Sequence, residues 1–122
     1  EGILVGDGSG TSVLRLLLDN NTVSATDDAI FVLPNTNIQI TITNNILTGD
    51  DNDIDFTLNG GSTLCSDVQG NTFNNAVAAD GFYSFNFGAT TYQLTASSQA
   101  LTTVIGAAPA TVPDGTCELP TP

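Results

Sequence analysis

Polar and apolar residues alternate through Asn37-Ile38-Gln39-Ile40-Thr41-Ile42-Thr43. A period of two marks a strand with one buried face, so Ile38, Ile40 and Ile42 are expected inside. Leu14, Leu16 and Leu18 alternate in the same way, with Arg15 and Leu17 facing outward or toward a neighbour. No window carries the 3.6-residue stripe of an amphipathic helix, and polar turns rich in Asn, Asp and Gly separate the short strands. Those turns recur. Asp19 to Val32 lies over Thr43 to Phe56 at an ungapped offset of 24. A third copy, Gln69-Gly70-Asn71-Thr72-Phe73, follows at an offset of 26 and leads through Asp80-Gly81 into Phe82-Tyr83-Ser84-Phe85.

A repeat of about 24 to 28 residues divided among three strands matches one turn of a β-helix. The expected fold is therefore all-β, a right-handed parallel β-helix (β-solenoid) of about three to four coils. The coils span residues 1–91, and residues 92–122 form a closing strand and an irregular, proline-rich capping tail of the same domain. Asn20, Asn21, Asn44, Asn45 and Asn71 fall at one corner of successive coils, where stacked amides form a hydrogen-bonded ladder. The repeated Asn-Asn-x-apolar turns resemble those of pectate-lyase-like parallel β-helix proteins of bacterial surfaces. The stretch Tyr92-Gln93-Leu94-Thr95-Ala96-Ser97-Ser98-Gln99-Ala100-Leu101 is similar to the closing motif of such proteins, a Tyr-x-Leu strand followed by Ser-Pro-Ala-apolar-Asp. Gln99 stands in place of the Pro and Thr102 in place of the Asp. The resemblance spans residues 19 to about 105 and implies the fold more than any activity.

Charge narrows the chemistry. Thirteen Asp and Glu face one Arg, with no Lys and no His, for a net charge of −12. No imidazole base, His-ligated zinc, Schiff-base lysine or P-loop lysine is available. The charge repels phosphate backbones and anionic lipid, so nucleic acid and membrane insertion are not expected. The longest apolar stretch, Val13 to Leu18, is far shorter than the ~20 residues of a membrane helix. Cys65 and Cys117 lack zinc-ligand spacing and read as a disulfide in preference to two free thiols. Closing a loop of that size contributes roughly 4 kcal/mol and locks the tail against the third coil as a cap. A disulfide suits an extracellular or cell-surface protein. The opening at Glu1 fits a processed protein or an excised segment.

The aligned copies bring Asp27 and Asp28 to the turn that carries Asp50, Asp51 and Asp53, near Asp80. Coils lie ~4.8 Å apart, so stacked carboxylates form either a solvated acidic rim or a site for calcium, the only cofactor the sequence suggests. Asp7-Gly8-Ser9-Gly10 reads as a plain turn. Polyuronate lyases need a cation at the reacting carbon, and Arg15 alone is present. Paired Asp residues permit glycoside hydrolysis in principle, but three coils offer little groove for a polymer. Thr41-Ile42-Thr43 has the form of an ice-binding motif without its repetition, and the Asn20-Asn21-Thr22 sequon belongs to the ladder. Phe82, Tyr83, Phe85, Phe87 and Tyr92 are expected under the terminal cap, any exposed part being a partner surface.

The sequence therefore points to a non-catalytic extracellular structural module, a fibre subunit or part of an adhesin. Its first strand has no cap before it, so either a longer β-helix or another molecule supplies the cover. In the fibre version Ile3, Leu4 and Val5 meet Phe82, Tyr83 and Phe85 of the next copy head to tail. The alternative is a β-helix fragment that binds or cleaves carbohydrate.

Overall fold

A computed structural model describes residues 1–8, 13–74 and 80–120. Its strands are β1 (Ile3–Gly6), β2 (Leu14–Asp19), β3 (Thr22–Ala25), β4 (Ile30–Leu33), β5 (Asn37–Thr43), β6 (Ile46–Gly49) and β7 (Asn52–Leu58). They continue as β8 (Thr63–Gln69), β9 (Thr72–Phe73), β10 (Asp80–Asn86), β11 (Thr91–Thr95), β12 (Thr103–Ile105) and β13 (Ala110–Val112). No helix occurs among the described residues. Three sheets, ordered β1-β4-β7-β10-β12, β2-β5-β8-β11-β13 and β3-β6-β9, contain only parallel pairs between successive coils. The chain is a parallel β-solenoid of about three turns, with β10 to β13 extending two of the sheets.

The repeat seen in the sequence is the register of the fold. Leu18 pairs with Ile42 and Thr22 with Ile46 at the expected offset of 24, and Thr43 with Gln69 at 26. Ile38, Ile40, Ile42, Ile54, Phe56, Leu64, Val68 and Phe82 are fully buried along the axis. Removing such a side chain from water contributes about 2 kcal/mol each. Phe56 and Phe82 meet edge to face at 5.0 Å. The Tyr92 hydroxyl is buried and bonded to Ser84 Oγ at 2.8 Å; desolvation pushes its pKa up to about 12.

Beyond residue 91, β11 stacks on β8, and β12 and β13 add a shortened layer through Val112 that covers the last coil. The rest of the tail runs along the side of the solenoid. Cys65 lies on the outer face of β8, between Gln39 and Gln93, and its bond to Cys117 straps the tail across the side of the second sheet. Gln39 Nε2 donates to the Cys117 carbonyl, and the Leu119 N–H donates to Thr41 Oγ1. A disulfide takes its direction from the strand pleat, and residue 65 points outward.

Candidate functional site

The corner between the second and third sheets carries the ladder. Asn20, Asn44 and Gly70 occupy one position in successive coils, with φ of 59°, 57° and 68°. This left-handed conformation favours Gly and Asn, which explains the residue types. Asn20 and Asn44 are therefore turn residues rather than rungs; their amides donate to Asp19. The rungs are Asn21, Asn45 and Asn71. Asn45 Oδ1 accepts from the backbone and side-chain N–H of Asn21 at 2.8 and 3.0 Å. Asn71 Oδ1 accepts the same pair from Asn45 at 3.0 and 2.9 Å. Gln99 closes the series, its Oε1 accepting from Asn71 N and Nδ2 and its Nε2 donating back to the Asn71 carbonyl. Gln99 was not expected as a rung.

The acidic corner lies where the chain enters the first sheet. Glu1, Asp27 and Asp28 bring carboxylate oxygens within 4.8 Å of one another, an oxygen-only set suited to a hard cation. Asp50, Asp51 and Asp53 do not join this trio, so the five expected ligands are not one site. Asp50 and Asp51 are exposed, and the Asp51 N–H bonds the Asp27 carbonyl of the coil before. Asp53 is fully buried: its Oδ1 accepts the Gly49 N–H, and its Oδ2 has no partner. Desolvation raises its pKa, against the Gly49 hydrogen bond. Asn52 separates the stacked acids. Its Nδ2 donates to Asp28 Oδ1 at 2.7 Å and toward Asp55 Oδ2 at 3.4 Å.

Asp55, which drew no attention in the sequence, is the most perturbed carboxyl. It sits on the outer face of the first sheet between Phe31 and Tyr83, 6% exposed. Burial first, then repulsion from Asp28, Asp51 and Asp27, lifts its pKa to about 6 against a hydrogen bond from Thr57 Oγ1. Asp28 is raised by burial and by Asp27, Asp51 and Glu1, against the Asn52 bond. Among the described residues no cation pairs with either; Arg15 lies on β2 and bonds Gln39. Asp7 shows the opposite balance. Burial pushes it up, but Thr36 Oγ1 and the N–H groups of Asn35, Asn37 and Thr36 outweigh that and lower it. Its turn thus stitches the first coil to the second; Ser9 and Gly10 lie outside the described residues.

The residues expected to mediate assembly divide. In the first coil Leu4 is 63% exposed, Ile3 half-buried and Val5 inside. Phe82 is wholly in the core and is corrected as an interface residue. Tyr83 and Phe85 point outward from β10, and Phe85 stacks on the 60%-exposed Phe87 at 4.2 Å, so the stripe divides: Phe82 and Tyr92 are core, and Tyr83, Phe85 and Phe87 form its outward part. Among the described residues nothing pairs with the far edges of β1, β2 and β3. Leu14, Leu16, Leu18 and Val23, which point to the core, stay only partly covered there. At the other end three-residue strands lie over β10 and β11, with Pro109 before β13 and Pro113 after it. Between the strap and the second sheet lies a groove of about 840 Å³ lined by Thr41, Thr43, Asp67, Gln69, Asp114 and Glu118.

Compared with known protein families, with curated proteins and with solved structures, the chain finds no match.

Proposed function

We propose that the chain is a non-catalytic structural β-solenoid module of the extracellular surface that joins neighbouring solenoid coils through its open first coil. The difference between its two ends carries this reading. Three parallel edges and a half-covered apolar layer meet at the first coil, a template for another coil of the same kind. The last layer is short, and its strand β13 is bracketed by prolines, which lack the N–H that strand addition requires. Support is correspondingly weaker for a head-to-tail fibre than for docking at the first coil, on coils of a longer chain or of a second copy. The strapped disulfide fits an oxidising setting. The Asn-turn likeness to pectate-lyase-like surface proteins belongs to the same proposal. No bound cation is needed for it.

Light scattering and negative-stain microscopy over a concentration series test the reading. Association is expected, and Leu16→Lys, which places a charge in the half-covered layer, abolishes it. Leu16→Lys particles that associate unchanged overturn the proposal, and a chain that stays monomeric throughout removes the second copy as partner and leaves the coils of a longer chain. The carbohydrate reading rests on the hydroxyl- and carboxylate-lined groove under the strap. Calorimetry with neutral and uronate oligosaccharides tests it, and absence of heat from both removes it.

A further inference from the structure

The outer face of the first sheet holds a second surface, independent of the coil edges. Its strands place Leu4, Phe31, Asp55, Tyr83 and Thr103 in one row across the coils. Thr57, Phe85 and Ile105 form the next row. Leu4, Phe87 and Ile105 are 63%, 60% and 40% exposed, and Phe87 lies flat on Phe85. Solvated polar residues are the usual filling of an outward sheet face, so open aromatic and aliphatic side chains on both sides of Asp55 mark a contact surface.

The charge beneath this row indicates what it contacts. Asp55 and Asp28 are both more than nine-tenths buried and share the amide of Asn52 as donor. One Asp55 oxygen accepts from Thr57 Oγ1, and the other has only the long Asn52 contact, so lone pairs remain for a further donor. Two desolvated carboxylates without a cation are an electrostatic deficit that a positive partner relieves. A second copy cannot supply it readily: the chain has one cationic side chain, Arg15, held against Gln39 on another sheet. A planar guanidinium satisfies both halves of the site, stacking on aromatic faces while donating two parallel hydrogen bonds to a carboxylate.

We propose that this face docks a basic segment of a different protein, with an arginine seated between Phe31 and Tyr83 on the Asp55 carboxylate and apolar neighbours on Phe85 and Phe87. Entry requires Tyr83 to turn aside, a side-chain rearrangement common at interfaces. Glu1, Asp27 and Asp51 form the outer acidic rim that attracts such a segment.

The test is an NMR titration of the full chain with the blocked peptide acetyl-Arg-Arg-Arg-amide, with acetyl-Gln-Gln-Gln-amide as control and a glucosamine trimer as the rival cationic probe. Saturable shifts confined to Thr57, Tyr83, Phe85 and Phe87 are expected with the arginine peptide. Asp55→Asn weakens binding at least about tenfold, the loss of a charge-assisted bond. Phe87→Ser, a surface change that leaves the amide spectrum folded, weakens it several-fold, and Asp50→Asn leaves it unchanged. Shifts spread over the whole surface, or equal weakening by Asp50→Asn, reduce the effect to diffuse charge and overturn the proposal. Tighter binding of the glucosamine trimer overturns the protein partner, and the same shifts on self-association without peptide overturn the different one.

Discussion

Two corners of the solenoid stack polar side chains from coil to coil, and they meet opposite ends. At one, Asn21, Asn45, Asn71 and Gln99 hydrogen-bond in series. At the other, Asp28 and its neighbours lie in equally close succession with carboxyls pushed toward neutrality. An amide is donor and acceptor at once, so identical residues repeated along the axis satisfy one another. A carboxylate only accepts, so identical residues repel and need something inserted. Here the insert is Asn52, an amide between two acids. The same repeat therefore yields a hydrogen-bonded seam at one corner and a set of mutually repelling, partly desolvated carboxyls beside the other.

Converting one corner into the other gives the largest expected effect. Asn45→Asp replaces the donor to Asn71 Oδ1 and the Leu18 carbonyl with a second acceptor in a fully buried place. A loss of about 4 kcal/mol is expected in urea unfolding at pH 7. The gap narrows in acid, because a buried Asp with a raised pKa regains its proton there. A cost below about 1 kcal/mol, within the range of surface changes, would mean that the ladder is not a source of stability. A smaller effect sharpens the same point. Gln99→Ala removes the last rung and leaves two Asn71 donors to find water, for about 2 kcal/mol. Gln93→Ala, one strand away and making no side-chain bond among those described, costs under about 0.5 kcal/mol.

The coil register was open to inspection because an ungapped offset of 24 lays Asn20-Asn21 on Asn44-Asn45 and Asp27 on Asp51, and an offset of 26 carries Asn45 on to Asn71. The division of labour within Asn20-Asn21 and Asn44-Asn45 is carried only by the third copy, where Gly70 takes the place of the first Asn: Gly substitutes where a left-handed turn is needed, and not where the amide is a rung. Gln99 was hidden by a 28-residue step and by a change of residue type, although the longer amide suits the wider turn. Asp55 was hard to see because its burial depends on strand neighbours 24 and 28 residues away, Phe31 and Tyr83, and two of the acids that repel it, Asp27 and Asp28, lie in the coil before. The Cys65–Cys117 partnership followed from counting cysteines, but the path of the tail depends on which way residue 65 faces. In an alternating strand that is a question of register, and the neighbouring Leu64 and Ser66, both buried, answer it.

The acidic corner predicts a pH profile of unusual sign. Asp55 titrates at about 6 in the folded chain against an ordinary 3.8, so between these values the folded state holds a proton that the unfolded state has lost. Its contribution is fully present below 3.8 and is lost as pH rises through about 6. Asp28 and Asp53, raised in the same direction, add to the trend. Asp7 opposes it, since a lowered carboxyl stabilises above its unfolded value and loses that effect as pH falls further. Stability should thus climb from pH 7 toward 4 and turn down only below that. Asp55→Asn removes the charge while keeping an acceptor for Thr57, and should stabilise the fold at pH 7 by about 1–2 kcal/mol after solvent screening. It should also flatten the slope between pH 4 and 6. Urea midpoints measured across that range for both chains decide the matter. Parallel profiles would show that Asp55 is already solvated or paired in the free protein, and the contrast between the two corners would shrink to one of hydrogen-bond number.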